Sequence, residues 1–394
     1  MVDILKDYSP DRSNTKAMKW HDLETVFGDK DLLPIWIADM DFAPAKEVTA
    51  AIQSFVDDQY FGYYSVPDSY YQSMIDWSND HFQYETKAEW YRFAPGVCTG
   101  IAFALHAYTN EGDNILIQNP VYNPFRTVIE EANRTLVMQD LLGNEQEGYT
   151  IDFDALESAF KDDDIKVFLF CSPQNPTGRV WHRDELAKVV ALCKQYDVLL
   201  FSDEIHRDLI MPGHEHIAIG NIDPDFDNYV LFASPSKTFN LAGFNHSFMV
   251  VPRADLREKL DTFLHAIHVT GGQPAGYIAS EAAYTYGSEW VENVNQVIWD
   301  NYQLLKTTVQ TALPQVQFSD LQGTYLAWLD LGAYVKNADL KEVVQDRARL
   351  GVNYGTTYWP TRPEDTHIRI NLATKTEIIE KAANNLVKAI QEWQ

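Results

Sequence analysis

Short apolar runs and helical segments alternate through the middle of the chain, and this pattern restricts the fold more than any other feature of the sequence. The runs are continuous rather than alternating in polarity, which indicates strands that helices cover on both faces. Strands are predicted at 114–118, 166–170, 198–201 and 230–232, and helices at 124–132 and 183–196. Regular alternation of strands and helices is typical of an α/β domain with a mainly parallel sheet.

The chain has 394 residues, which is more than one hydrophobic core usually supports, so we expect two domains. From about residue 290 the pattern changes. A long helix at 290–312, strands at 324–329 and 367–371, and a final helix at 376–392 predict a smaller α+β domain. We place the large domain at 47–288 and the smaller one at 1–46 together with 289–394.

The formal net charge is −26, and no compact cluster of Lys and Arg interrupts it. So acidic a surface repels phosphate backbones, which argues against direct binding of nucleic acid. The stretch 93–110 carries no charged residue, but its Pro and Gly residues make it a poor membrane span.

Three cysteines, Cys98, Cys171 and Cys193, form neither a disulfide framework nor a zinc-type spacing. Reduced thiols fit a cytoplasmic protein. The first residues include acids where a secretory signal would have an apolar stretch. We therefore expect a cytoplasmic protein without a membrane partner.

An amide, a carboxylate and an amine each follow a predicted strand. Asn175 opens the run Asn-Pro-Thr-Gly, Asp203 comes 28 residues later, and Lys237 a further 34 residues on. Ligands of a parallel sheet bind beyond the carboxyl ends of its strands, so these three groups should meet at one edge. Alone, Asp203 would more often be a turn or cap residue, and Asn175 a plain turn residue. Together they are the groups that hold and drive pyridoxal 5′-phosphate (PLP).

The roles of these groups follow from the needs of that cofactor. Lys237 supplies the amine that binds it and, once released, a base beside the substrate Cα. A surface lysine is the alternative, which the flanking serines and Phe239 disfavour. Asp203 would keep the pyridine nitrogen protonated, and Asn175 would donate to the ring O3′ oxygen. His206 either faces the same oxygen or is an ordinary loop histidine.

The run 96–100 (Gly-Val-Cys-Thr-Gly) precedes a helical segment predicted at 101–108. Backbone N–H groups at a helix start cradle phosphate, so Gly96, Val97 and Cys98 are candidates for the cofactor phosphate. Tyr122 is a candidate for stacking on the cofactor ring and for catalysis, or it is simply a core or surface aromatic.

Arg369 lies in a predicted strand of the smaller domain. Its planar fork suits a substrate α-carboxylate better than a lysine would. A structural salt bridge is the alternative role for this side chain.

Four longer motifs, at 33–42, 61–64, 202–206 and 236–243, resemble the cystathionine β-lyase-like C–S lyases of bacteria. This branch includes the maltose-regulon modulator and belongs to the fold type I PLP enzymes of the aspartate aminotransferase superfamily. The resemblance covers nearly the whole chain and implies a seven-stranded sheet in the large domain. It also implies a homodimer with shared active sites, in which Tyr63 reaches the neighbouring subunit's phosphate. The residues it adds are Ser234 and Ser236 near the phosphate, and Trp36, Ala38, Asp39 and Tyr63 on the substrate side.

Two departures from the wider aminotransferase pattern favour the lyase branch. Many aminotransferases have a phosphate-binding Arg eight residues after the lysine, where this chain has Asn245. His206 stands where a Tyr often follows the pyridine-binding acid. Cys98 and Thr99 are less typical of either group.

The expected reaction is a β-elimination that releases a thiol from an L-cysteine-derived thioether and leaves pyruvate and ammonia. A class I/II aminotransferase is the nearest alternative, because both reactions share every step up to loss of the Cα proton. A regulatory protein that binds a transcription factor is an alternative from another class, and binding such a protein partner would be a second role beside catalysis.

Overall fold

The computed structural model describes residues 3–394, which form three sheets, of seven, four and two strands, with helices packed around them. The strands are β1 Leu33–Pro34, β2 Tyr91–Ala94, β3 Asn114–Asn119, β4 Thr135–Asp140, β5 Ile165–Cys171, β6 Leu199–Asp203, β7 Tyr229–Ala233, β8 Ser247–Val250, β9 Gln317–Phe318, β10 Leu326–Asp330, β11 Leu350–Gly351, β12 Asn353–Tyr354 and β13 His367–Asn371. The helices are α1 Ile4–Asp7, α2 Met18–His21, α3 Leu23–Phe27, α4 Lys46–Asp57, α5 Asp68–Phe82, α6 Val97–Tyr108, α7 Pro124–Glu131, α8 Phe153–Asp162, α9 Arg183–Tyr196, α10 Pro235–Thr238, α11 Ala254–Ala266, α12 Pro274–Tyr286, α13 Ser288–Ala312, α14 Asn337–Lys341 and α15 Thr376–Trp393.

The large sheet has seven strands in the order β2-β8-β7-β6-β5-β3-β4. Only β8 runs against its neighbours, and the other pairings along β7, β6, β5, β3 and β4 are parallel. The predicted α/β class and mainly parallel sheet are therefore confirmed.

Alternate residues of the large sheet enter two separate cores, as β geometry requires. On β5, Val167 and Leu169 pack with α6, α7 and α11, whereas Phe168 and Phe170 pack with α8 and α9. Both faces are thus covered, which explains why these strands are continuous apolar runs in the sequence.

The small sheet is antiparallel, in the order β12-β13-β10-β9. Helix α15 packs along α13 and buries an apolar stripe at helical spacing, for example Ile379, Ala382, Ala383 and Leu386. The short strand β1 pairs in parallel with β11, which joins the N-terminal segment to this part of the chain. The proposed domain limits at 46/47 and 288/289 stay a prediction.

One predicted boundary is wrong. Helix α6 begins at Val97 and not at residue 101. Gly100, which reads as a helix start in the sequence, lies inside the helix. A Cβ there would come within 3.2 Å of Ala94 Cβ and 3.4 Å of Phe232, so this glycine allows the helix to approach the sheet closely.

No helix among residues 3–394 is long and apolar enough to cross a membrane.

Candidate active site

A cavity of about 430 Å³ opens at the carboxyl edge of the large sheet, between that sheet and β13. It brings together most of the residues that the sequence singled out. Those that line it are Trp36, Ala38, Gly96, Val97, Cys98, Tyr122, Asn175, Asp203, His206, Ser236, Lys237 and Arg369.

Lys237 is presented by the short helix α10, which follows β7 directly. Pro235 opens this helix, and Ser234 caps it by accepting the N–H of Ser236 at 3.0 Å. The Lys237 amine donates to the carbonyl of Ala38 at 2.6 Å and forms no ion pair with any described residue. Burial lowers the pKa of this amine. The unprotonated, nucleophilic fraction of the Lys237 amine is therefore larger than that of a surface lysine.

Asp203 is the last residue of β6 and is buried. One carboxylate oxygen accepts the N–H of Ile205 at 3.0 Å, and none of residues 3–394 forms a salt bridge with it. Burial raises the pKa of Asp203 to about 7. The side chain is therefore ready for a cationic N–H partner in the cavity.

Arg369 reaches across from β13 and is oriented by neutral acceptors only. Its guanidinium donates to Asn175 Oδ1 at 3.0 Å, to the carbonyl of Trp36 at 3.0 Å and to Asn353 Oδ1 at 2.9 Å. It lies 4.8 Å above the ring of Tyr358. Because no described acid pairs with it, the structure gives no support to the alternative of a structural salt bridge.

Two features of this contact leave donors free for a ligand. The buried Nε of Arg369 has no partner among the described residues, so the guanidinium keeps an unused donor. Since Asn175 Oδ1 is occupied by Arg369, the amide N–H₂ of Asn175 is what remains for the cavity.

His206 is buried, with its ring edge-on to Tyr325 at 5.9 Å between centroids. Burial lowers the pKa of His206 to about 3, so the imidazole is neutral at physiological pH. Its Nδ1 has no partner within the described part of the chain. Both properties suit a ring that faces a polar ligand atom.

The start of α6 presents free backbone N–H groups to the cavity. Gly96 caps the helix with φ +140°, a backbone angle that side-chain-bearing residues rarely adopt. Val97 and Cys98 lie in the first turn, where N–H groups have no partner within the helix. Burial raises the pKa of the Cys98 thiol to about 12, which keeps it neutral. The turn therefore offers an anion only dipoles and no competing charge.

Tyr122 lines the cavity between β3 and α7, edge-on to Phe125 at 6.1 Å. Burial raises the pKa of its hydroxyl well above the ordinary value, so the group stays protonated. The N–H of the preceding Val121 donates to the carbonyl of Tyr358 at 3.1 Å, which ties this wall to the loop before β13.

Three predicted residues do not line the cavity of their own chain. The Ser234 hydroxyl donates to the carbonyl of His246 at 2.7 Å, a contact that supports α10. Asp39 is the residue after Ala38, and burial raises the pKa of the Asp39 carboxyl. Tyr63 is fully exposed on the surface. Their roles toward the cofactor or substrate stay predictions.

Some lining residues were missed. Asn353 lies in the two-residue strand β12, and Thr357 and Tyr358 lie just after it, where no periodicity or motif marks them. The segment 36–42 is fixed by a buried ion pair of Lys19 with Asp41 at 2.8 Å. A fully buried lysine has no signal in a single sequence, because lysines are usually exposed.

The lining fits PLP. The cavity has an amine for the aldehyde, an unpaired carboxyl for the ring nitrogen and an amide donor for the ring oxygen. It also has free N–H groups at the start of α6 for a phosphate. The unpartnered His206 Nδ1 and Arg369 Nε are the kind of buried atoms that a ligand completes.

Comparisons with known proteins agree with this fit. The family model of aminotransferase class I and II matches residues 34–386. Cystathionine beta-lyase PatB of Bacillus subtilis (strain 168) is 34% identical over 357 residues, which are 90% of this chain and 92% of that protein. Protein MalY of Escherichia coli (strain K12) is 28% identical over 97% of both chains. The crystal structure of cystalysin from Treponema denticola, which contains pyridoxal 5′-phosphate, has a TM-score of 0.94 at 31% identity and covers 100% of both chains.

Proposed function

We infer from the active site that this chain, which belongs to the aminotransferase class I and II family, is a PLP-dependent carbon–sulfur β-lyase. An L-cysteine-derived thioether and one water give a thiol, pyruvate and ammonia. The observation that carries this conclusion is the meeting of Lys237, Asp203, Asn175 and Arg369 in one cavity.

Residues of the large sheet would hold the cofactor. Asp203 would pair with the ring nitrogen, and burial, which makes an unpaired carboxylate costly, favours that ion pair. Asn175 and the neutral His206 would face the ring oxygen. The first turn of α6 and the hydroxyl of Ser236 would receive the phosphate, and Tyr122 would lie against the ring.

When bound, PLP offers an aldehyde to amines and withdraws electrons from the substrate Cα. Lys237, once free, takes the Cα proton at its Nζ. The carbonyl of Ala38, now 2.6 Å from that atom, holds the amine inside the cavity and stabilises its protonated form. The thiolate leaves Cβ and needs one proton. The hydroxyl of Tyr122 and the ammonium of Lys237 both line the cavity and would supply this proton.

Arg369 would bind the substrate α-carboxylate. Its three neutral contacts orient the fork without neutralising it, so its charge remains available to an anion. Because Lys237 lines the same cavity, a carboxylate held by Arg369 would keep the substrate in the compartment that contains the base.

The lyase assignment over an aminotransferase is supported by the relatives named above and by two residues. Asn245 lines the cavity where many aminotransferases have a phosphate-binding Arg, and His206 replaces their Tyr. Both replacements are typical of the C–S lyase branch.

We also propose that the chain acts as a homodimer in which Tyr63 of each subunit completes the other subunit's site. Tyr60, Phe61 and Tyr63 form an exposed aromatic group after α4. Exposed aromatic clusters of this kind usually mark an interface. Mixing the inactive Tyr63→Ala and Lys237→Ala proteins after mild dissociation tests this, because a mixed dimer has one intact site. About a quarter of normal activity is expected for random pairing, whereas an inactive mixture would contradict shared sites.

The function itself is tested with purified, PLP-loaded protein and L-cystathionine. Equimolar pyruvate and free thiol without any added 2-oxo acid are expected. Turnover only after 2-oxoglutarate is added would instead make the protein an aminotransferase.

A further inference from the structure

Strand β13 uses one face to hold the segments that build the active site. His367, Arg369 and Asn371 are spaced by two and therefore point to the same side. Asn371 donates to the carbonyls of Ile37 and Asp39 at 2.6 and 2.7 Å. Arg369 donates to Asn175, and His367 contacts Glu145. The first member of this row has no role in the reaction described above.

A carboxylate contacts each ring nitrogen of His367. Its Nε2 lies 2.9 Å from Glu145 Oε1, and its Nδ1 lies 2.8 Å from Asp365 Oδ1. The ring stacks on Trp328 at 4.7 Å with an angle of 8° between the planes. Tyr149 donates its hydroxyl to the same Glu145 oxygen. All three charged side chains are at most 8% exposed.

These contacts make the histidine a cation. With a carboxylate at each nitrogen, the ring must donate from both, which only an imidazolium does. Burial lowers the pKa of His367, but the hydrogen bonds that it donates to Asp365 and Glu145 outweigh burial and raise the pKa to about 10. The other titratable groups around it are Tyr149 and Asp330, and Arg362 stacks on Trp359, whose ring centroid is 6.3 Å from that of His367.

A bound metal is a poorer explanation for the cluster. Ligand atoms of Glu145, Asp330 and His367 do lie within 4.8 Å of one another. However, both ring nitrogens are already directed at carboxylates, and Asp330 Oδ1 accepts the N–H of Gly332 at 2.8 Å and the Thr366 hydroxyl.

The two ends of this ion pair belong to different parts of the molecule. His367 belongs to the small sheet, and Asp365 belongs to the loop before it. Glu145 belongs to the loop 141–152, which connects β4 of the large sheet to α8 and is closed by a bridge between Leu142 and Thr150. Arg369, two residues after His367 on β13, makes a second contact with the large sheet by donating to Asn175. A shift of β13 relative to the large sheet would break both contacts together.

We propose that His367 is a positioning residue whose imidazolium, held between Glu145 and Asp365, fixes β13 against the large sheet and so aims Arg369 at the substrate carboxylate. This inference rests on the carboxylate-binding role of Arg369 in the proposed function. It assigns the specificity for a free α-carboxylate to an ion pair that itself never touches the substrate.

The test compares two small ligands of the PLP-loaded protein. Glycine has an α-carboxylate but no β leaving group, and glycinamide lacks the carboxylate. Dissociation constants are measured by calorimetry for the wild type, His367→Gln and Glu145→Gln. Asp223→Asn is the matched control, because it removes one acid from an ion pair, with Lys194, that does not line the cavity.

Glycine should bind about tenfold more weakly to both variants, the equivalent of one charged hydrogen bond at Arg369. Glycinamide binding and the control should be unchanged. Equal weakening of both ligands, or no weakening of glycine, would overturn the proposal. If His367→Gln does not fold, Glu145→Gln decides, since it keeps the shape of the side chain.

The outcome is separable from the proposed function. A wild type that binds glycine selectively but releases no thiol from cystathionine would refute the lyase and leave the positioning role intact. A wild type that does not distinguish glycine from glycinamide would refute the role of Arg369, and the positioning proposal with it.

Discussion

Replacing Asp203 by Asn is expected to stabilise the cofactor-free protein at neutral pH while it abolishes lyase activity. The carboxyl is buried at the end of β6, and without a ligand no described cation pairs with it. Asn has the same shape, and its Oδ1 can still accept the N–H of Ile205, which now lies 3.0 Å from Asp203 Oδ1. The substitution therefore removes the charge and little else.

The magnitude follows from the displaced pKa. Burial moves the pKa of Asp203 from 3.8 to about 7 in the folded protein. Between these values the folded state keeps a proton that the unfolded chain has lost, so the free energy of unfolding falls as the pH rises. A displacement of about three pH units corresponds to about 4 kcal/mol, fully felt above pH 7 and absent below about pH 4.

Urea unfolding of the cofactor-free proteins at several pH values between about 5 and 8 measures this difference. The advantage of Asp203→Asn should grow with pH and level off above 7. With PLP bound, the ring nitrogen should pair with the carboxylate, so the wild type should recover its stability and the variant should gain less. A difference that does not depend on pH, or a cofactor-free wild type that is the more stable at pH 8, would refute the reasoning.

Two further substitutions test the chemistry. Lys237→Ala should lose the absorbance of the lysine-bound cofactor together with turnover, and turnover that survives would remove this residue from catalysis. Arg369→Lys keeps the charge but replaces the fork by a point, so kcat/KM for amino-acid substrates should fall about 10–10²-fold, the value of one charged hydrogen bond. The kcat/KM for the amide of the same substrate should change little. An equal fall in kcat/KM for the acid and the amide would show that Arg369 does not recognise the carboxylate.

The sequence was sufficient to predict the large sheet and the main groups that line the cavity. The buried strands are continuous apolar runs, and a parallel sheet collects the residues that follow its strands at one edge, so Asp203 and Lys237 could be expected to meet. Arg369 could be chosen because its planar fork suits a substrate α-carboxylate better than a lysine does. These predictions needed only local patterns and one rule of topology.

The remaining parts of the site depend on contacts between distant segments. The carbonyl that receives the Lys237 amine belongs to Ala38, 199 positions away, and the Lys19–Asp41 ion pair beside it is buried against expectation. Asn353 lies in the two-residue strand β12 and Tyr358 in the segment after it, and both are too short to show a periodicity. Gly100 misled the prediction of α6 because one glycine serves equally well as a helix start or as a place of close packing.

The cavity shows why such a site is built from residues that are costly to the empty protein. Lys237, Asp203 and Arg369 lie in the cavity without an ion pair among the described residues, although burial penalises each charge. If these side chains were paired with one another, Asp203 could not pair with a protonated ring nitrogen and Arg369 could not bind a carboxylate. In the proposed function, their partners are the cofactor and the substrate. The His367 cluster follows the opposite logic: its charges are satisfied within the chain, so it can hold β13 in place during every turnover.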